Sequence, residues 1–207
     1  LLGIVLSGAT VLRTQSAAAL SAGDWRAGRI TDDGVFYDSN AMNVTEIQNF
    51  LNAKVPACDT NGTQSSGHWY GSAGRYYTRA EWGSANGYPA PFVCLKDYAE
   101  TTPNKAADAY CGGNYWGGYK GAAQIIDDVA RACGVSQKSL IVLLQKEQSL
   151  VTDDWPWSVQ YRSATGYGCP DTAACDSTYY GFFNQVYNAA RQFQRYVKHS
   201  QLFNDKG

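Results

Sequence analysis

Apolar residues recur at helical spacing along three stretches in the second half of the chain. Ala122, Ile125, Ile126, Val129 and Ala130 fall on one face. Gly134 follows, with Arg131 one turn before it, a combination that stops a helix. Ser136 then stands at the N-cap position of a second helix, the run Ser139-Leu140-Ile141-Val142-Leu143-Leu144-Gln145-Lys146-Glu147, which ends before Pro156. Phe182, Phe183, Val186, Tyr187, Ala190, Phe193 and Val197 define a third helix. The first half of the chain is less regular. Val35-Phe36-Tyr37, after the turn residues Asp32-Asp33-Gly34, reads as a short strand. Asn43 or Thr45 is placed to cap a helix from Glu46 to Ala53, with Ile47, Phe50 and Leu51 on its apolar face. Residues 59–118, rich in Gly, Ser, Tyr and Trp and broken by Pro89, Pro91 and Pro103, predict irregular, disulfide-tied structure. Within it, residues 96–110 predict helical turns on either side of Pro103.

One residue interrupts this pattern in a chemically suggestive way. On a helix Leu140, Leu143, Leu144, Glu147 and Val151 share a stripe, and Glu147 is the only polar member. A carboxyl group on an apolar face needs a partner or keeps its proton near neutral pH. Position near a helix C-terminus acts in the same direction, because the last carbonyls disfavour negative charge. A protonated carboxyl in a cleft is what glycosidic bond cleavage requires of its acid. Lys146 is adjacent but points about 100° away around the helix, which makes it a poor partner. Arg162 is the alternative partner, in which case Glu147 is structural.

Composition narrows the class of protein. Charged residues make up 17% of the 207 residues, below the ~25% of an ordinary soluble domain. Aromatic residues make up 14%, with 15 Tyr and 6 Trp, side chains that suit cores and sugar grooves alike. A formal net charge of -1 argues against nucleic acid as a partner. Cys58, Cys94, Cys111, Cys133, Cys169 and Cys175 form no Cys-x-x-Cys pair, and only His68 and His199 accompany them, so no metal and no cofactor is expected. An even cysteine count reads as disulfides made in an oxidising compartment, with Cys169 and Cys175 the easiest local pair. Residues 1–22 read as the remnant of an export signal, with Leu1 to Leu6 apolar and small residues at Ala17 to Ala22; an amphipathic helix of the mature chain is the alternative. The chain is expected to be secreted or cell-wall associated, to have no membrane span in its mature part, and to continue beyond Gly207. Asn43-Val44-Thr45 and Asn61-Gly62-Thr63 match the glycosylation triplet.

The three helices and the Gly-rich turn Thr165-Gly166-Tyr167-Gly168-Cys169-Pro170 together resemble the lysozyme-like superfamily, and within it the lytic transglycosylases. The resemblance covers residues 119–200. In that family a helix like Ala122 to Cys133 is followed by a Gly-Val turn, matched by Gly134-Val135-Ser136, and then by aliphatics ending in the catalytic Glu, matched by Leu140 to Glu147. The family has Ser directly after that Glu, whereas here Gln148 intervenes before Ser149. Ala164-Thr165-Gly166-Tyr167-Gly168 sits where the family has its Gly-rich groove turn, without the Met-Gln pair, and Asn188-Ala189-Ala190 resembles the helix that follows. The string Gln145-Lys146-Glu147-Gln148-Ser149-Leu150-Val151 also resembles secreted wall-associated proteins of actinobacteria and candidate-phylum bacteria.

The resulting expectation is a mainly α fold. A lysozyme-like helical core spans 119–207, and an irregular, disulfide-tied N-terminal region spans 23–118. The resemblance implies a peptidoglycan-cleaving glycosidase, a lytic transglycosylase acting between N-acetylmuramic acid and N-acetylglucosamine of bacterial cell-wall glycan. Glu147 would be its catalytic acid and then base. The candidate substrate-binding residues are Ser149, as a hydrogen-bonding group near Glu147, and Trp157, Tyr167 and Tyr180 from the dense aromatics after the helix. Asp154 is the candidate second carboxylate that an inverting hydrolase would need. The rival reading is a non-catalytic wall-carbohydrate-binding or adhesin module on the same scaffold. A third is a structural surface protein whose aromatics all lie in cores.

Overall fold

A computed structural model of the protein describes residues 31–200. The expected export-signal remnant at 1–22 and the chain end near Gly207 lie outside these residues. In chain order the elements are α1 (Asp33–Phe36), α2 (Val44–Lys54), β1 (Ser65–Tyr70), β2 (Arg75–Thr78), α3 (Arg79–Ala85) and β3 (Ala99–Thr102). There follow β4 (Gly118–Gly121), α4 (Ala122–Cys133), α5 (Gln137–Gln148), α6 (Ser158–Arg162) and α7 (Phe182–Lys198).

The mainly α expectation is corrected by this architecture. The described residues mix seven helices with two antiparallel two-stranded sheets, β1–β2 and β3–β4. Both sheets fall in or at the end of the stretch expected to be irregular. In β1–β2, Trp69 faces Tyr76 across the strands at a ring distance of 5.3 Å, and Tyr70 stacks on Tyr77 at 4.1 Å. Cross-strand aromatic pairs of this kind stabilise a hairpin that has no alternating apolar face to advertise it. Of the helical turns expected over 96–110 a 3-10 turn at Leu95–Asp97 is present, and beyond it lie β3, where Glu100 pairs with Lys120 and Thr101 with Tyr119, and a bridge between Lys105 and Tyr115. The β-branched Thr101 and Thr102 suit that pleated surface. The strand expected at 35–37 is the short helix α1, whose Phe36 packs edge-on against Phe193 of α7 at 4.9 Å.

The helices read from periodicity lie where their signals place them. Asn43 caps α2 in a reciprocal box with Glu46. Gly134 ends α4 in the left-handed conformation, φ 65°, and its N–H bonds Ala130 O. Ser136 occupies the N-cap position of α5, but its buried hydroxyl makes no capping bond. Helix α4 is the spine: Ile125, Ile126, Val129 and Ala130 are wholly buried. Leu140 and Leu144 of α5, and Phe182, Val186 and Ala190 of α7, belong to the same core as α4. Ile47 and Leu51 of α2, together with Leu95 and Tyr115, join it, so a single core draws on residues from both sides of position 118.

Three disulfides tie the chain: Cys58–Cys94, Cys111–Cys133 and Cys169–Cys175. No free cysteine remains among the described residues, the state an oxidising environment produces. No helix among the described residues is long and apolar enough to cross a membrane.

Candidate functional site

Helix α5 distributes its residues over two adjoining rows. Leu140 and Leu144 point into the core and are at most 1% exposed. Leu143 and Glu147, one turn apart, form the next row, and Leu143 lines a cleft of about 320 Å³. Glu147 therefore does not sit inside the apolar stripe as the one-dimensional pattern implies. Its side chain is 30% exposed, and Lys146 Nζ bonds its Oε1 at 2.9 Å. Lysine, expected to point away, reaches back because its side chain is long and 76% exposed. Arg162 instead lies over the Tyr180 ring at 5.0 Å.

The Gly-rich turn comes directly against Glu147. Gly166 has φ +69°, and a β-carbon built there would stand 3.2 Å from Glu147 Oε2 and 3.8 Å from its carboxyl carbon. A side chain there would press on the carboxylate, and the positive φ is one that glycine adopts without strain. Thr165, Gly166, Tyr167 and Gly168 form one wall of the cleft. Ala189, Gln192, Phe193 and Tyr196 of α7 form the other, at the three- and four-residue spacing of one helix face.

A buried side chain that sequence reasoning passed over shapes this wall. Gln185 of α7 is wholly buried. Its Oε1 accepts the N–H groups of Thr165, at 3.2 Å, and Tyr167, at 3.1 Å. Its Nε2 donates to Tyr167 O at 2.9 Å and to Tyr179 O at 2.8 Å. One amide thus satisfies four backbone groups of the segment between α6 and α7. The available signal was a lone Gln among Phe182, Phe183 and Val186, a polar residue on a face that should be buried. The Cys169–Cys175 bridge closes the loop beyond Gly168, and Asp176 N bonds Gly168 O at 2.8 Å. At the start of α7, Glu100 from β3 accepts Phe183 N–H at 2.6 Å, a carboxylate at the positive end of the helix.

The other candidates are dispersed. Tyr167 stays in the cleft, edge-on to Tyr179 at 4.8 Å. Burial, then the neighbouring Tyr179, pushes its phenol pKa up, against the opposing charges of Arg191 and Arg195. Ser149 does not bond Glu147. It is the C-cap of α5 with φ 57°, and its carbonyl accepts Thr152 N and Asp153 N. Trp157 stacks on Tyr88 at 4.9 Å and touches Trp155 edge-on, outside the cleft lining. Tyr180 bonds Cys175 O through its hydroxyl and also stands outside the lining.

Asp154 is claimed by a structural ion pair. Arg79 Nη1 bonds Asp154 Oδ2 at 2.9 Å and Asp59 Oδ2 at 3.3 Å, while Asp59 N bonds Asp154 O. Asp59 is 7% exposed. Burial acts to raise its pKa, but the N–H groups of Gln64 and Thr63, the Thr63 hydroxyl and Arg79 outweigh this and hold it below the usual carboxylate range. Asp154 is therefore part of the clamp that ties α3 to the segment after α5. It is not positioned across the cleft from Glu147 by anything in this network.

Among the described residues no group of three or more His, Cys, Asp or Glu side chains is arranged to hold a metal ion. No family model matches the chain, and neither the curated proteins nor the solved structures contain a significant match to it.

Proposed function

We propose that the protein is a secreted enzyme that cleaves the glycan of bacterial cell walls, a lytic transglycosylase working between N-acetylmuramic acid and N-acetylglucosamine. The observation that carries this reading is the approach of the Glu147 carboxylate to Gly166 at the edge of a cleft walled by Tyr167, Phe193 and Tyr196. The three disulfides support export, and the motif string around Glu147 supports the family resemblance.

In this reading Glu147 donates its proton to the glycosidic oxygen as the bond from that oxygen to the anomeric carbon breaks. The sugar's own 6-hydroxyl then attacks the anomeric carbon, and the Glu147 carboxylate takes the hydroxyl proton. The product carries an internal anhydro ring and the acid is regenerated. The residues lining the cleft include no carboxylate, so Glu147, which faces Gly166 from beside the lining, is the carboxylate near it, while Asp154 is bound to Arg79. A one-carboxylate route is favoured over an inverting hydrolase, which needs two carboxyl groups flanking the bond. Tyr167 would stack on a sugar face, its ring braced by Tyr179 and its backbone by Gln185.

A wall-clearing assay on purified peptidoglycan tests the assignment: Glu147→Gln should abolish clearing, and full clearing by that variant would refute it. The Lys146–Glu147 pair favours a second reading, a non-catalytic glycan-binding module in which the carboxylate is occupied by its neighbour. That reading predicts saturable glycan binding, unchanged in Glu147→Gln, with no soluble products from either protein.

A further inference from the structure

A second groove lies apart from the cleft beside Glu147 and shares no lining residue with it. Its volume is about 350 Å³, near the lower end of the ~300–1,000 Å³ of small-molecule sites. Two prolines, Pro91 and Pro156, and Val93 make one side. Tyr98 and Tyr161 make the floor, stacked at 4.2 Å with an interplanar angle of 7°. Tyr119 of β4 makes the other side and is 78% exposed.

The polar chemistry of this groove is specific. The floor phenols are already engaged: Tyr161 donates to Val93 O at 2.6 Å and Tyr98 to Glu100 Oε2 at 3.2 Å. The stacked floor tyrosines therefore give a rigid apolar base, and Tyr119 supplies the exposed ring. Hydrogen bonding falls to Asp97 and the exposed Ser158 at the rim. Asp97 is the only charged residue of the lining, and Lys96 Nζ neutralises it through Oδ2 at 2.7 Å. Its other oxygen remains available as an acceptor among the described residues. An ion of either sign gains little here.

We infer that this groove is a second saccharide-binding site, one that takes a neutral pyranose ring. Such a ring has an apolar C–H face and a belt of hydroxyls. The face lies on Tyr119 and the hydroxyls donate to Asp97 and exchange hydrogen bonds with Ser158. Apolar walls with a few convergent polar groups are the usual composition of a small-ligand site. The rigid tyrosine and proline walls lose little conformational freedom on binding. The inference goes beyond the proposed cleavage reaction and does not depend on Glu147.

Isothermal titration with the β-1,4-linked tetramers of N-acetylglucosamine and of glucose tests it. The wild-type protein should bind at least one of them. Tyr119→Ala, which removes an exposed ring and leaves the core intact, should weaken that binding about tenfold, close to 1.4 kcal/mol. Asp97→Asn should weaken it by a smaller factor. The same losses should appear in a Glu147→Gln background, so loss of lytic activity and loss of this site are read separately. Absence of binding to both tetramers, or binding unchanged by Tyr119→Ala, overturns the inference.

Discussion

The carboxylate of Glu147 faces Gly166 closely enough that a β-carbon built on residue 166 would stand 3.2 Å from Glu147 Oε2. Residue 166 has φ +69°, a conformation that costs an L-residue roughly 1–2 kcal/mol. A methyl group there would also press on Oε2 from 3.2 Å. Gly166→Ala should therefore lower unfolding free energy by about 1–2 kcal/mol in denaturant titrations. On the proposed reading, in which Glu147 is the acid, glycan cleavage should fall by more than tenfold because the misplaced group is that acid. Unchanged cleavage would show that the carboxylate has no fixed place against this turn.

Gln185 holds the cleft wall from behind. Gln185→Leu keeps the volume but leaves the N–H groups of Thr165 and Tyr167 without their acceptor. Unsatisfied buried groups cost about 1–3 kcal/mol each, so the variant should lose stability on the order of 2–4 kcal/mol. Hydrogen exchange should accelerate at the amides of Thr165 and Tyr167 well before it does in α4. Protection at these two amides equal to the wild type would contradict the role given to Gln185.

Acid should weaken the Asp59–Arg79–Asp154 clamp in a defined direction. The folded pKa of Asp59 is depressed, so its contribution is complete above the unfolded value of ~3.9. As pH falls below that value the unfolded chain takes up the proton first. Stability then drops until Asp59 itself protonates in the folded state. Asp59→Asn should be less stable than the wild type at neutral pH, by about 2–4 kcal/mol. The gap should narrow as pH falls toward 3. A gap independent of pH would mean that the ionised carboxylate contributes nothing.

Cys111 and Cys133 are both buried and join the loop before β4 to the end of α4 across a separation of 22 residues. Replacing both with Ala should cost about 3 kcal/mol and lower the melting temperature by several degrees. An unaltered melting temperature would show that the packing around Tyr115 and Ala132 suffices without the bridge.

The helices α4, α5 and α7 were legible in the sequence because their apolar periodicity is a local property. The caps at Asn43 and Gly134 were legible for the same reason. Strands β3 and β4 were not, since Glu100 finds its partner only at Lys120 and neither segment alternates apolar with polar residues. Residues 99–102 read more readily as part of a helix broken by Pro103 than as a strand. The resemblance to the lytic transglycosylases, rather than any local pattern, pointed to a meeting of Glu147 with the Gly-rich turn. The environment of Glu147 was misread, because Leu140 and Leu144 lie on the core row whereas Leu143 and Glu147 lie on the next. Asp154 looked available because its partner Arg79 lies 75 residues away. The left-handed backbone of Ser149, φ 57°, carries no sign in the sequence, since serine shows no preference for it.

The most direct test is mass spectrometry of the soluble products released from purified peptidoglycan by the wild-type protein and by Glu147→Gln. Muropeptides bearing an internal anhydro ring from the wild type alone are the predicted result. Reducing-end products would require a second carboxylate and contradict the single-acid route, and the absence of products from both proteins would contradict an enzymatic role for Glu147.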